Sequence, residues 1–92
     1  MIYIRRVLEA SAVLKDFAGY AAANRIRFTP HALSRADERG ATYRDVRHAL
    51  MTATACTLQP NGRWLVASAD LSGDALTLVC VPENGVLVVT LF

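Results

Sequence analysis

Residues 61–92 read NGRWLVASADLSGDALTLVCVPENGVLVVTLF, and the punctuation of this stretch decides the fold. Asn61-Gly62, Ser72-Gly73-Asp74 and Glu83-Asn84-Gly85 are turn signals, because Gly and Asn tolerate the positive φ of tight hairpins. Between and after them lie Arg63–Ala69, Ala75–Val81 and Val86–Phe92, runs rich in Val, Leu and Thr that suit a pleated, half-buried surface. Thr54–Leu58, ahead of the first turn, has the same character. Four strands joined by three tight turns make an antiparallel meander. The last strand is apolar on both faces and belongs inside the sheet, not at an edge. That singles out its one polar residue, Thr90.

Such a sheet needs helices over one face, and the first half of the chain supplies them. Residues 4–23 have helical periodicity, with Ile4, Val7, Leu8, Leu14, Phe17, Ala18 and Ala21 on one broad face. Arg5, Arg6, Glu9, Lys15 and Asp16 fall largely outside it. Arg25–Thr29 alternates Arg-Ile-Arg-Phe-Thr, the pattern of a short extended connector or edge strand. A helix over 30–39 follows: Thr29 caps it, Pro30 suits a first position that needs no N–H, and Gly40 suits a left-handed close. Thr42 with Asp45 three residues on is a capping-box arrangement for a further helix ending near Thr52, its apolar face Val46, Ala49 and Leu50. The expected class is α+β, N-terminal helices packed on a four-stranded antiparallel β-meander.

Ninety-two residues make one domain with a single modest core, and an apolar share of 53% excludes a disordered chain. The net charge is only +2, yet residues 1–50 carry nine Lys/Arg against five Asp/Glu, whereas residues 51–92 carry one against three. Nine of the ten basic residues are arginine, which favours planar, bidentate partners such as phosphate or carboxylate; a GC-rich coding bias gives the same excess. Cys56 and Cys80 sit in apolar, strand-like runs and read as buried thiols of a reducing cytosol. With His31 and His48 they form no pair at zinc-site spacing, so no metal or cofactor is expected. Arg5 and Arg6 ahead of an apolar region ending in Ala21-Ala22-Ala23 loosely imitate a secretion signal, but Glu9, Lys15 and Asp16 interrupt it. The expectation is a helix of the folded domain, a cytoplasmic protein and no membrane partner.

On the 30–39 helix, His31, Arg35 and Arg39 are four apart and form a slowly rotating stripe, with Ala32, Leu33 and Ala36 turned towards a core. A group that titrates near neutrality beside fixed cations suits a phosphodiester. The pieces Ile26-Arg27-Phe28-Thr29, His31-Ala32, Arg35, Arg39-Gly40, Asn61-Gly62-Arg63 and Val88-Val89-Thr90 resemble a bacterial family of small domains. Its members share a short strand, His-Ala-x-x-Arg-x-x-x-Arg-Gly, a capped helix and a glycine-punctuated meander. The resemblance covers residues 25–92, leaving 1–24 as an added helix. That family is similar to the RelE, barnase, EndoU and colicin-nuclease group of metal-independent ribonucleases, which cleave RNA on the open face of a four-stranded sheet. The resemblance implies a RelE-like fold, RNA as partner, in some cases at the ribosome, and a cognate antitoxin or immunity protein.

Metal-free RNA cleavage needs a base for the 2′-hydroxyl, donors for the charged phosphorane and an acid for the leaving oxygen. His31 is the candidate acid/base, Arg35 the phosphate fork, Arg63 a further phosphate contact and Thr90 a hydroxyl donor from the sheet. Arg39, Arg44 and Arg47 are candidate substrate contacts. Each has a structural counterpart: Arg35 can pair with Glu38, and Arg39 complements its helix dipole. Trp64 suits a core more than a base stack, a role also open to Tyr43. Two other classes stand beside the nuclease. Ala36, Gly40 and Val46 fit the spacing of a helix-turn-helix that would turn Arg44 and Arg47 to DNA, although Arg35 and Arg39 are poor core residues for it. A non-catalytic module would instead recruit a protein through the sheet edge or the first helix.

Overall fold

A computed structural model of the chain describes residues 2–92, with side chains from Val7 onward. The elements run α1 (Ile2–Ala22), β1 (Ile26–Phe28), α2 (Pro30–Arg39), α3 (Tyr43–Thr52), β2 (Cys56–Leu58), β3 (Trp64–Ala69), β4 (Ala75–Pro82) and β5 (Val86–Leu91). Strands β2 to β5 pair antiparallel in sequence order, as turn chemistry demands. Within Arg25–Thr29, Ile26–Phe28 forms the edge strand β1, which pairs parallel with β5, Ile26 opposite Val86 and Phe28 opposite Val88. The sheet is therefore five-stranded and mixed, in the order β1-β5-β4-β3-β2, and not the expected four-stranded antiparallel one. The difference arises because β1 finds its partner some sixty residues away, where no local turn announces it.

One face of the sheet is covered. Phe17 and Ala21 of α1, Ala32 of α2, and Val46, Ala49 and Leu50 of α3 meet Trp64, Val66, Leu76, Leu78, Cys80, Val86, Val88 and Leu91 in one buried cluster. These strand residues share one side of the pleat, so all three helices lie on the same face. Trp64 is accordingly core. The expected apolar face of α1 is only partly used: Val7 and Leu8 are 48% and 65% exposed, because the helix outruns the sheet it packs on. Ile4, Arg5 and Arg6 have side chains outside the described residues. Leu33 is likewise exposed instead of facing the core, and Ala32 holds the buried position on α2.

Both caps read from the sequence are formed. The Thr29 hydroxyl accepts from the Ala32 N–H at 3.0 Å, and Gly40 closes α2 at φ 74°. Thr42 and Asp45 make a reciprocal capping box. The Asp45 carboxylate accepts from the N–H groups of Thr42 at 2.9 Å and Leu71 at 3.1 Å and from the Thr42 hydroxyl at 3.0 Å. Those bonds, that of the Thr42 N–H foremost, hold its pKa below the ordinary 3.8. A lowered folded pKa means the unfolded chain binds protons first, so this stabilisation is complete well above 3.8 and lost as pH falls through the folded value. The urea midpoint should therefore decline more steeply on acidification in the wild type than in Asp45→Asn.

Asp70 ties the β3–β4 turn to α2. One carboxylate oxygen accepts from the N–H groups of Ser72 and Asp74, both at 2.9 Å. The other lies 3.8 Å from the Arg39 guanidinium. Asp70→Ala leaves both N–H groups without their acceptor and should cost about 2 kcal/mol in urea unfolding. Asp70→Asn, which keeps that acceptor oxygen, should cost less.

Candidate active site

The site begins with an irregularity in β5. Cys80 pairs with Val88 but Val79 pairs with Thr90, so Val89 is an inserted residue, a β-bulge. Without it, the alternation from Val86 and Val88 would drive Thr90 into the core. With it, Leu91 takes the core position and Thr90 stands on the face opposite the helices, beside Val79.

The outer edge of β5 beyond Phe28 has no strand partner among the described residues, and α2 takes that place. The Thr29 hydroxyl donates to the Val89 carbonyl at 2.7 Å, and the Thr29 N–H to that of Val88 at 3.0 Å. Nearly two turns further, Arg35 Nε donates to the Leu91 carbonyl at 3.3 Å. Helix α2 is thus pinned alongside residues 88–91 of β5. His31 lies between the two anchors, within about 40° of Arg35 around the helix axis. It is exposed and makes no hydrogen bond or ion pair with another described residue. Arg35 also pairs with Glu38 through Nη1 at 3.3 Å, which leaves Nη2 unengaged among the described residues. His31 and Arg35 therefore border the edge of β5, while Thr90 occupies its open face.

The other candidates lie apart from this meeting of α2 and β5 or are otherwise engaged. Arg63 precedes β3 and is exposed. By register it lies two strands and two residues from Thr90, about 12 Å between Cα atoms. Arg39 donates to the Ala75 carbonyl and neighbours Asp70. Arg47 closes the end of α1, with Nε on the Ala21 carbonyl at 3.0 Å and Nη2 on that of Ala22 at 3.1 Å. Arg44 is exposed on α3. No local pattern announces the Arg47 contact, because its acceptors are helix-end carbonyls more than twenty residues away.

Cys56 is half-buried and Cys80 fully buried, and both are free thiols. Burial raises the pKa of each, that of Cys80 to about 12, so neither is poised as a nucleophile. Among the described residues no group of three or more His, Cys, Asp or Glu could hold a metal ion, and no helix is long and apolar enough to cross a membrane. Two clefts of about 430 and 400 Å³ lie elsewhere, one between α1 and β2 beside Cys56 and Trp64, the other between α2 and α3 beside Leu33 and Tyr43. Compared with known protein families, curated proteins and solved structures, the chain has no match.

Proposed function

We propose that this chain is a metal-independent endoribonuclease-like domain acting at the corner formed by α2 and the end of β5. The observation that carries the reading is the exposed His31, unpartnered among the described residues, one helical turn from a backbone-anchored Arg35 on the helix that lies along the bulged strand. In this chemistry the His31 imidazole takes the proton of an RNA 2′-hydroxyl, whose oxygen attacks the adjacent phosphorus. Arg35, oriented by Leu91 and Glu38, offers Nη2 to the charged phosphorane, and the Thr90 hydroxyl donates to a second phosphate oxygen from the sheet. The 5′-oxygen leaves with a proton from the imidazolium or from water, so the products are a 2′,3′-cyclic phosphate and a 5′-hydroxyl. Arg63 serves as a distant phosphate contact on the open face, with Arg44 a peripheral one.

Substrate and setting follow from the same reading: RNA, and for a growth-slowing cytoplasmic nuclease a cognate antitoxin or immunity protein. The helix-turn-helix alternative is weaker because Arg47, one of its two readers, is held on the end of α1. Expression in a bacterial host tests the proposal. Wild type should slow growth and fragment cellular RNA, and His31→Ala or Arg35→Ala should relieve both. Harmless expression with intact RNA in the absence of any inhibitor would overturn it.

A further inference from the structure

The face of the sheet opposite the helices is bare among the described residues, and its side chains form an ordered grid. Register aligns Ala67 with Thr77, which exchanges both backbone hydrogen bonds with Phe92. The next row is Thr57, Leu65, Val79 and Thr90. The third is Arg63, Val81, Leu87 and Arg27, with Arg63 placed by extending the β3–β4 ladder one residue. Phe92 is 54% exposed, and Leu65, Val81 and Leu87 are half-buried without a covering layer. An aliphatic strip therefore runs across the middle of the face, bracketed by an arginine at each end of one row. No Asp or Glu stands on these three rows.

We infer that this face docks an acidic amphipathic helix of a partner protein, its apolar side on Leu65, Val81 and Leu87 and its carboxylates on Arg27 and Arg63. Charge selects this occupant over a second copy of the chain, since two such faces would bring arginines together with no carboxylate on the three rows of either to pair them; Arg27 donates through Nη2 to the Glu83 carbonyl and has its remaining N–H groups for a partner. The aliphatic strip selects protein over nucleic acid for the middle of the face, because Leu and Val give bases no stacking surface and Phe92 is the only aromatic on the rows. A helix laid on a bare sheet face supplies the missing layer that apolar strand residues otherwise lack. The inference does not require cleavage at the α2 corner, since His31 and Arg35 are on α2, but Thr90 and Arg63 of the proposed RNA site share this face, so a docked helix would compete with RNA there.

The test uses the full chain and a synthetic amphipathic helix of about 20 residues with leucines on one side flanked by glutamates. A matched peptide carries lysine in place of glutamate, and a single-stranded oligouridylate serves as the nucleic-acid probe. The glutamate peptide should bind at least about tenfold more tightly than the lysine peptide, moving backbone NMR signals of Leu65, Val81 and Leu87. The double variant Arg27→Glu/Arg63→Glu should reverse that preference. Arg63→Glu alone, at an exposed side chain with no bond among the described residues, should reduce it even if the double variant folds poorly. Equal binding of the two peptides, signals moving only at the α2–α3 cleft, oligouridylate moving the signals of Leu65, Val81 and Leu87 at lower concentration than the glutamate peptide, or self-association that buries them would each overturn the inference.

Discussion

Gly85→Ala should destabilise the protein by about 3 kcal/mol, the sum of backbone strain and a steric clash. Gly85 sits at φ +116°, and a Cβ there would lie 2.5 Å from the Arg25 carbonyl oxygen and 3.1 Å from the Arg25 Cβ. The obstacle is backbone, so no rotamer change relieves it. That carbonyl also accepts from the Val86 N–H at 2.9 Å, the bond that starts the parallel pairing of β1 with β5. An alanine would push β1 away from β5 just where the chain is led towards the α2 anchor. Gly73→Ala is the control: its φ is +86° but nothing lies within 4 Å of the added carbon. It should cost about 1 kcal/mol, strain alone. Urea unfolding of both variants separates the two contributions, and equal losses would contradict the close approach.

The second large effect is chemical. If the corner cleaves RNA, His31→Ala should slow cleavage by about 10²–10⁴-fold, the usual contribution of a positioned acid/base. Stability should move by less than about 0.5 kcal/mol, since the side chain is exposed and has no partner among the described residues. Arg35→Lys separates charge from shape. It keeps the cation but loses the fork that grips Leu91, Glu38 and a phosphate together. Its cleavage rate should fall well below wild type with little change in the dependence on pH.

The parts of the fold that were legible are those set by local chemistry. Thr29 and Gly40 bound α2, and Thr42 with Asp45 opens α3, because a cap is a contest among neighbouring backbone groups. The glycine-bearing turns fixed the antiparallel order β2 to β5 for the same reason. What the sequence hid is non-local. The edge position of β1 was open to a strand or a connector until Val86–Val88 was found beside it. Counting by twos along β5 puts Thr90 on the core side, and only the bulge opposite Val79 and Cys80 reverses that. Leu33 looked like core because helical periodicity cannot tell which flank of α2 meets the sheet. Of the candidate site, the His31–Arg35 spacing was readable from helix geometry. The 12 Å or so that separates Arg63 from Thr90 depends on strand order across the sheet.

The most direct measurement is incubation of the purified chain with single-stranded RNA in the presence of a metal chelator, followed by analysis of the 3′ ends formed. The proposed cleavage leaves fragments ending in 2′,3′-cyclic phosphate with the wild type and none above background with His31→Ala. Intact RNA, cleavage that requires a divalent metal, or equal cleavage by His31→Ala would contradict it.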